Sequence, residues 1–154
     1  MSALPPLRAS LHATALVLGE TGLLLRGPSG SGKSALALEL IALARIRGEF
    51  GSLIADDRVL VEAHGGRLVA RPHPNIAGMI EARGMGVLRL PYEPRGMIHV
   101  LVDLCAAAAL ARVPDETSQT ETLVNVSLPQ RCIAVENTRA AALIMEFIQM
   151  LRQI

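Results

Sequence analysis

The stretch "GPSGSGKS", residues 27–34, decides the fold because it satisfies the pattern G-x-x-x-x-G-K-[ST] of a phosphate-binding loop. An apolar run, "TGLLLR", precedes it, and a run of helix formers, "SALALELIALARIRG", follows from Ser34. Glycines let backbone N–H groups turn toward phosphate oxygens, and the helix adds the partial positive charge of its N-terminus. The sequence therefore predicts a strand, a phosphate loop and a helix that together bind a nucleoside triphosphate.

The loop supplies the nucleotide ligands, and we expect ATP or another nucleoside triphosphate with Mg²⁺. Lys33 can reach the β- and γ-phosphates, and the Ser34 hydroxyl can coordinate the metal. A strand-to-helix turn with chance glycines is the alternative, which the motif and its flanks together disfavour. A dinucleotide-binding loop is disfavoured because G-x-G-x-x-G is absent. The candidate nucleotide-binding residues are Gly27, Pro28, Ser29, Gly30, Ser31, Gly32, Lys33 and Ser34.

Two adjacent carboxylates, Asp56 and Asp57, close the short apolar run in "LIADDRV", residues 53–59. In P-loop proteins an acid that ends such a strand often holds Mg²⁺ directly or through water. A positioned carboxylate can also orient an acceptor hydroxyl and take its proton. Adjacent acids can share a titration, so the residues alone leave the assignment of roles open. The alternative is a strand cap in which one aspartate pairs with Arg58.

Composition limits the class of protein. The 154 residues fit one domain, and with 51% hydrophobic, 19% charged and 2% aromatic residues the core must be aliphatic, as in a buried α/β sheet. Fifteen Lys and Arg against fourteen Asp and Glu, without a basic block, make nucleic acid an unexpected partner. No apolar run approaches about 18 residues, so we expect a cytoplasmic protein without a membrane span. Cys105 and Cys132 are expected to be reduced, packed thiols.

The first half of the chain predicts strands joined by glycine turns around one helix. The expected elements are a hairpin in "TALVLGETGLLLRG" around Gly19-Glu20-Thr21-Gly22, a helix from Ser34 to Gly48 buried nearly all round, an inner strand in "GSLIADD", and a hairpin in "RVLVEAHGGRLVARPH" that turns at Gly65-Gly66.

The second half is less regular. The expected elements are a short helix or turn entering a strand in "MIEARGMGVLRL", one strand in "GMIHVLVDL", a polar loop in "ARVPDETSQTET", one or two strands broken at Pro129 in "TLVNVSLPQRCIAVE", and a terminal helix in "NTRAAALIMEFIQMLRQI".

Four features, in this order and spacing, resemble the catalytic domain of HPr kinase/phosphorylase: His12 in "LHATALVL", the loop "GPSGSGKS", "LIADDRV" and "IEARGMGV". That bacterial family uses ATP to phosphorylate a serine of the phosphocarrier protein HPr and can remove the phosphate by phosphorolysis. The resemblance covers the chain from about residue 10 to the terminal helix. It implies an α/β P-loop nucleotide-binding domain whose core is also similar to that of phosphoenolpyruvate carboxykinase.

The resemblance also implies roles for single residues. Asp57, supported by Asp56, would be the base for serine phosphorylation and the acid for its reversal, and Lys33 would be catalytic. Ser34 and Glu81 would hold the metal. His12 would lie close to the transferred phosphate, and Arg112, in the loosely matching "LARVPD", would match a catalytic arginine.

Ordinary structural roles stay open for several of these residues. Glu81 would otherwise be an exposed helix acid, His12 a polar residue before a strand, and Arg112 a solvated loop cation. Arg83 would either pair with Glu81 or face phosphate. His64, His73 and His99 have no convincing metal-ligand spacing and are expected to be structural.

The chain also departs from the family's usual form. We expect one catalytic domain over 1–154, without an N-terminal regulatory domain and with a shortened C-terminal helical part. In the segment associated with dephosphorylation, "AVENTR", only Val135 and Arg139 fit, which favours the kinase reaction over phosphorolysis. The resemblance implies HPr or an HPr-like carrier as partner and a hexameric homo-oligomer. Alternatives are a kinase for a small molecule and a non-catalytic ATP-sensing module.

Overall fold

The computed structural model describes residues 5–107 and 119–153, and in that part of the chain it has two helices and twelve strands. A 3-10 turn spans Pro74–Ile76. The elements in chain order are β1 Arg8–Leu11, β2 Ala13–Leu18, β3 Thr21–Arg26, α1 Lys33–Ile46, β4 Gly51–Ala55, β5 Val59–His64, β6 Arg67–Pro72, β7 Met79–Ala82, β8 Gly86–Arg89, β9 Gly96–Ile98, β10 Val100–Cys105, β11 Thr120–Leu123, β12 Val126–Ala134 and α2 Ala140–Arg152.

The main sheet has six strands in the order β11-β12-β10-β3-β2-β4. Strands β3, β10 and β12 are parallel, while β2 runs antiparallel to both β3 and β4. Strands β3 and β4 therefore point the same way, and their carboxyl ends meet at one edge of the sheet. This edge receives the phosphate loop after β3, the two aspartates after β4, and His12, which precedes β2.

Two layers cover the main sheet and confirm the predicted α/β class. On one face both helices pack on side chains such as Leu16, Leu25 and Val102. On the other face a second, four-stranded sheet, β1-β5-β6-β9, packs on side chains such as Leu24 and Leu101. Because both faces are covered, the central strands can be apolar on both sides, as their sequences are.

Helix α1 confirms the predicted helix but not its complete burial. It begins at Lys33 and ends at Ile46, and Gly48 follows in the left-handed region, with φ +76°. Its inner face packs on the sheet, whereas Ile46 is 82% exposed and Glu39 also faces outward. The expectation of burial nearly all round was wrong, because only one side of the helix has a sheet to cover it.

Strand β4 was expected to be an inner strand, but it ends the main sheet next to β2. All five of its residues are nevertheless buried. Residues beyond β8 close over its free edge: Leu53 forms a parallel bridge with Tyr92, and the Glu93 N–H donates to the Leu53 carbonyl at 2.8 Å. Burial of an edge strand explains why its sequence has the continuous apolar character of an inner one.

Both predicted hairpins are confirmed, with one correction to a turn. The turn between β2 and β3 consists of Gly19 and Glu20. It is two residues shorter than expected because Thr21 and Gly22 already pair with β2. Strands β5 and β6 turn at Gly65-Gly66, and both glycines have positive φ.

The stretch "GMIHVLVDL" is two strands, not the single strand expected. Strand β9 belongs to the second sheet and β10 to the main sheet, and the chain crosses between them at His99. The His99 N–H donates to the Gly22 carbonyl at 2.8 Å, while the Gly22 N–H donates to Nδ1 of His99 at 2.9 Å. A Cβ at Gly22 would lie 1.8 Å from the Met97 carbonyl oxygen, so only glycine allows this crossing.

Strand β12 passes through Pro129, where a break was expected. The break lies instead at Val124 and Asn125, which have φ of +42° and +67° and turn β11 into β12. Pairing with β10 begins only at Gln130, so the proline needs no N–H on that side. The expected polar loop over 111–122 lies mostly outside the described residues, and its last residues form part of β11.

A further correction concerns "MIEARGMGVLRL", residues 79–90, expected to be a short helix or turn that enters a strand. They form a two-stranded hairpin, β7 and β8, in which Glu81 pairs with Val87. Gly84 and Gly86 have φ of +86° and +85°, a backbone that favours a tight strand reversal and not a helix.

The terminal helix is confirmed as α2. Its first turn begins after Asn137, whose side-chain oxygen accepts a hydrogen bond from the Arg139 N–H at 2.8 Å. At the other end Arg152 donates to the Leu18 carbonyl at 2.8 Å. The C-terminal end of α2 therefore contacts the end of the main sheet that lies opposite the phosphate loop.

Candidate active site

A cavity of about 550 Å³ lies at the edge of the main sheet where β3 and β4 end. It brings together the phosphate loop, both aspartates and the β7–β8 hairpin, although these segments are far apart in the sequence. Its lining residues are His12, Ser29, Gly30, Gly32, Lys33, Ser34, Ala35, Asp56, Asp57, Glu81, Ala82, Arg83, Gly84 and Gly86.

The phosphate loop has the backbone expected for an anion site. Gly30 and Gly32 have φ of +79° and +95°, and Gly32 stands at the N-terminus of α1 without a side-chain cap. The first N–H groups of the helix are therefore left for a ligand. The Ser31 hydroxyl is buried and has no hydrogen-bond partner among the described residues. An uncapped helix and an unpaired buried hydroxyl in one loop fit a bound phosphate group.

Lys33 is folded back onto its own loop and is only 7% exposed. Its Nζ donates to the carbonyls of Gly27 at 2.8 Å and Pro28 at 3.2 Å. Burial lowers the pKa of Lys33, and the nearby charges of Asp56 and Asp57 partly offset that shift. A phosphate oxygen in the cavity would give this ammonium group a charged partner in place of two neutral carbonyls.

Asp56 is held on the buried side of the site, with 5% of its surface exposed. Its Oδ1 accepts hydrogen bonds from the hydroxyls of Thr14 at 2.7 Å and Ser34 at 2.8 Å. Its Oδ2 lies 2.9 Å from the same Ser34 hydroxyl and 3.3 Å from the Glu81 N–H. A buried carboxylate requires such donors, and here they come from β2, α1 and β7.

Asp57 points the other way, with 72% of its side chain exposed. Its φ is +68°, and the Arg58 N–H donates to the Asp56 carbonyl at 2.8 Å, which closes a three-residue turn with Asp57 at its apex. Strained backbone of this kind is concentrated at functional sites. The turn separates two sequence neighbours, so that one carboxylate faces the loop and the other faces solvent.

His12 lies beside the exposed aspartate. Its Nδ1 is 3.4 Å from Oδ1 of Asp57, and the imidazole is half exposed. The ordinary role of a polar residue before a strand therefore does not describe it fully, because it shares the cavity with the aspartate. Among the described residues no ion pair joins Arg58 to either aspartate, so the alternative in which an aspartate of "ADDR" pairs with Arg58 does not hold.

The β7–β8 hairpin carries Glu81 and Arg83 into the cavity. Glu81 is exposed on a strand, so the alternative of an exposed helix acid does not hold. No ion pair within 4.0 Å joins Arg83 to Glu81 among the described residues. An Arg83 guanidinium nitrogen lies 3.8 Å from the position that a Cβ on Gly30 would take, so Arg83 approaches the phosphate loop from across the cavity.

The oxygen donors near the loop suit Mg²⁺, which prefers oxygen ligands and keeps several waters. The Ser34 hydroxyl and the Asp56 carboxylate touch each other, and the exposed Glu81 lines the same cavity. Within residues 5–107 and 119–153 no group of three His, Cys, Asp or Glu side chains forms a metal cluster. The donor set fits a metal held largely by nucleotide phosphates and water.

Sequence reasoning missed Thr14 and left the role of Arg83 open. Thr14 is the only residue with a polar side chain in β2, "ATALVL", and that exception in an apolar strand is the signal that marks it. Arg112 lies outside the described residues, so its expected catalytic role stays a prediction.

The remaining histidines and cysteines lie away from the cavity lining. His64 contacts Glu62, and His73 accepts a hydrogen bond from the Asn75 N–H. Both cysteines are free, and burial together with the neighbouring Cys132 raises the pKa of the Cys105 thiol. None of the helices in the described part of the chain is long and apolar enough to cross a membrane.

A strand, a phosphate loop with its lysine and serine, and two acids after a second strand of the same sheet define a P-loop nucleotide-binding domain. The family model described as "HPr Serine kinase C-terminal domain" matches residues 6–153. The chain therefore belongs to the HPr serine kinase C-terminal domain family, and the resemblance drawn from its sequence is confirmed.

Individual relatives agree with this assignment. The chain is 33% identical over 148 residues to the HPr kinase/phosphorylase of Neisseria meningitidis serogroup C, covering 88% of this chain and 44% of that protein. It is 35% identical over 79 residues to the HPr kinase/phosphorylase of Mycoplasma mycoides, covering 51% of this chain and 23% of that protein. The chain thus spans less than half the length of these relatives.

A solved structure has the same fold. The Hpr(Ser) kinase/phosphatase from Coxiella burnetii superimposes with a TM-score of 0.78 over 94% of this chain and 91% of that one, at 24% sequence identity. The predicted HPr kinase-like α/β fold is confirmed by this match.

Proposed function

We propose that this chain is a Mg-ATP-dependent serine kinase that phosphorylates HPr or an HPr-like phosphocarrier protein. Family membership supports the reaction class, and one observation of the site carries the proposal. Asp56 and Asp57 are adjacent in sequence yet face opposite sides of the site, one buried against Ser34 and the other exposed beside His12. In one phosphoryl transfer, the buried carboxylate can therefore bind the metal ion, and the exposed carboxylate can act as the base.

On the nucleotide side, the phosphates of ATP lie along residues 27–34. Backbone N–H groups of the loop and of the α1 N-terminus bind phosphate oxygens, and Lys33 moves from its two carbonyl partners to the β- and γ-phosphates. Bound Mg²⁺ neutralises charge that develops on the phosphate oxygens. Ser34, Asp56 and Glu81 are the residues that would hold it.

On the acceptor side, a smaller cavity of about 250 Å³ opens beside the first and shares His12 and Asp57 with it. Ser10, Leu11 and Arg58 complete its lining. A serine side chain that enters through this cavity meets the Asp57 carboxylate before it meets the nucleotide. The acceptor serine therefore approaches from the β1 and β5 side of the site.

The transfer itself moves one phosphoryl group and one proton. The serine oxygen forms a bond to the γ-phosphorus of ATP, and the bond between that phosphorus and the β,γ-bridging oxygen breaks to release ADP. The serine proton passes to the Asp57 carboxylate. His12, 3.4 Å from Asp57, orients that carboxylate, and Arg83 faces the transferred phosphate.

The proposal extends to the setting of the enzyme. Residues 1–154 act as one catalytic domain in the cytoplasm, as a homo-oligomer that the family resemblance makes a hexamer, and without a nucleic-acid or membrane partner. The near-neutral charge of +1 and the absence of a basic block support the last point. Light scattering on the purified chain measures the oligomeric state.

The test is incubation of the purified chain with Mg²⁺, γ-labelled ATP and HPr, with nucleotide binding measured in parallel. We expect label on a serine of HPr, and an Asp57→Asn variant that binds ATP as well as the wild type but transfers nothing. A Glu20→Gln variant, which changes an exposed acid at the opposite end of the sheet, serves as the matched control and keeps full activity. Unlabelled HPr despite normal ATP binding would refute the kinase proposal.

Two further assays distinguish the kinase proposal from the alternative functions. Inorganic phosphate added to serine-phosphorylated HPr tests phosphorolysis, in which pyrophosphate and free serine form. Label on a small alcohol in place of HPr indicates a small-molecule kinase, whereas ATP binding without any turnover indicates an ATP-sensing module.

A further inference from the structure

Thr14 is a polar residue at a position where the strand sequence calls for an apolar one. It lies in β2 opposite Leu25 of β3 and is 0% exposed. Side chains alternate along a strand, so Thr14 shares the face of Leu16 and Leu18, which pack against the helices. Burying its hydroxyl without a partner would cost about 1–3 kcal/mol.

The partner of that hydroxyl is Asp56. Ala15 of β2 pairs with Ala55 of β4, and because the two strands are antiparallel the next positions, Thr14 and Asp56, lie across from each other. The Thr14 Oγ1 donates to Oδ1 of Asp56 at 2.7 Å, shorter than either contact from Ser34. The two residues are 42 positions apart in the sequence, so the contact exists only in the folded chain.

The Ser34 hydroxyl cannot hold this carboxylate in place alone. A hydroxyl has one proton, so Ser34 can donate to only one of the two Asp56 oxygens at a time, although it lies within 2.9 Å of both. The Glu81 N–H reaches Oδ2 at 3.3 Å, which is a long hydrogen bond. The short bond from Thr14 is the contact that fixes the rotation of the carboxylate.

We propose that Thr14 is a positioning residue that fixes the Asp56 carboxylate so that the Ser34 oxygen faces the metal-nucleotide complex. This inference rests on the proposed function, because it assumes that the loop binds Mg-ATP. It adds a residue that acts through Asp56 and lies outside the cavity lining. Partners of this kind typically change metal affinity or activity by about 10- to 100-fold when removed.

The test compares variants that separate the hydroxyl from the packing of Thr14. Thr14→Val keeps the shape and the β-branch but removes the hydroxyl, and Thr14→Ala removes both the hydroxyl and the methyl group. Thr14→Ser keeps the hydroxyl and loses the methyl group. Ser52→Ala is the matched control, since Ser52 is a buried residue on the neighbouring β4 whose hydroxyl donates to the Leu53 carbonyl at 3.3 Å.

The readout is the Mg²⁺ concentration that half-saturates ATP binding, measured by calorimetry, together with ATP affinity in EDTA and thermal unfolding. We expect Thr14→Val and Thr14→Ala to raise that concentration at least tenfold, and equally, despite different unfolding temperatures. Thr14→Ser should stay within threefold of the wild type, and ATP affinity in EDTA should change less than twofold in all variants. The Ser52→Ala curve should match the wild type.

Three results would overturn the inference: an unchanged Mg²⁺ requirement in Thr14→Val, an equal loss of affinity with and without metal, or failure of the serine variant to restore binding. If Thr14→Val does not fold, the comparison of Thr14→Ala with Thr14→Ser decides the question by the same criteria. A wild-type chain that binds no Mg-ATP would instead refute the proposed function, which keeps the two failures distinguishable.

Discussion

Arg26 and Asp103 form a two-point ion pair directly before the phosphate loop, with Nε 2.7 Å from Oδ1 and a terminal nitrogen 2.8 Å from Oδ2. Arg26 is the last residue of β3, and Asp103 lies opposite it on β10. Glu121 of β11 contacts the same guanidinium, and Gln130 of β12 donates to Asp103 at 2.7 Å. Burial lowers the pKa of Arg26, but the hydrogen bonds to Asp103 and Glu121 outweigh it and raise the pKa above its ordinary value.

This network predicts a measurable effect on stability. In Arg26→Met two carboxylates lose their shared cation in a partly buried place, so we expect the free energy of unfolding to fall by about 1–3 kcal/mol. Urea unfolding followed by circular dichroism measures the change. The control is Arg8→Met, whose partner Glu62 is also a carboxylate but whose own side chain is 62% exposed, so its loss should cost less than about 1 kcal/mol. Equal losses in both variants would contradict the prediction.

The turn at Asp57 predicts that fold stability and activity separate. Asn tolerates a φ of +68° at least as well as Asp, whereas a β-branched residue does not. We expect Asp57→Asn to unfold within about 0.5 kcal/mol of the wild type and Asp57→Val to lose about 1–3 kcal/mol, while both lose phosphoryl transfer. Chemical denaturation and the HPr assay measure the two properties. An Asp57→Val variant as stable as Asp57→Asn would show that the turn is not strained.

The position of Arg83 predicts a role toward phosphate. We expect Arg83→Met to lower kcat/KM for ATP at least tenfold, which is about 1.4 kcal/mol of transition-state stabilisation. Arg89→Met provides the comparison, because Arg89 is exposed on β8 of the same hairpin but does not line the cavity. Steady-state kinetics on both variants give the answer, and equal kinetics would leave Arg83 without a part in transfer.

The contact of His99 with Gly22 predicts acid sensitivity. Burial lowers the pKa of His99 from its ordinary 6.5, and its Nδ1 must stay unprotonated to accept the Gly22 N–H. In the unfolded chain the imidazole takes up its proton near pH 6.5, and in the folded chain only at lower pH. Below about pH 6.5 the unfolded state therefore binds more protons than the folded state. The stabilisation present at higher pH is lost as the pH falls through the pKa of His99 in the folded chain.

The measurement is the unfolding temperature between pH 7.5 and 5. We expect the unfolding temperature to fall less over this pH range in His99→Gln than in the wild type. His73→Gln shows how far removal of any histidine alters the curve, because His73 only accepts a hydrogen bond from Asn75 on an exposed segment. A His99→Gln curve parallel to that of the wild type would remove His99 as a cause of acid sensitivity.

Short sequence motifs were sufficient to predict the elements whose backbone conformation depends only on neighbouring residues. The phosphate loop, α1 and the two glycine hairpins follow from residues at fixed spacing, since glycine and helix formers act within a few positions. The hairpin that carries Glu81 and Arg83 was not predicted correctly, because its four-residue strands are too short to show a period of two. The split at His99 was also missed, since a strand that changes sheet keeps the same apolar composition.

The sequence alone predicted a nucleoside triphosphate site at residues 27–34, placed two acids after the next strand, and showed the resemblance to the HPr kinase family. Only the tertiary structure decided which of the two acids faces the phosphate loop and which is exposed beside His12. The reason is that the turn at Asp57 and the donors around Asp56, Thr14 and the Glu81 N–H among them, come from strands brought together by the sheets. Contacts across 25 to 42 residues are set by strand order and register, which a linear pattern does not contain.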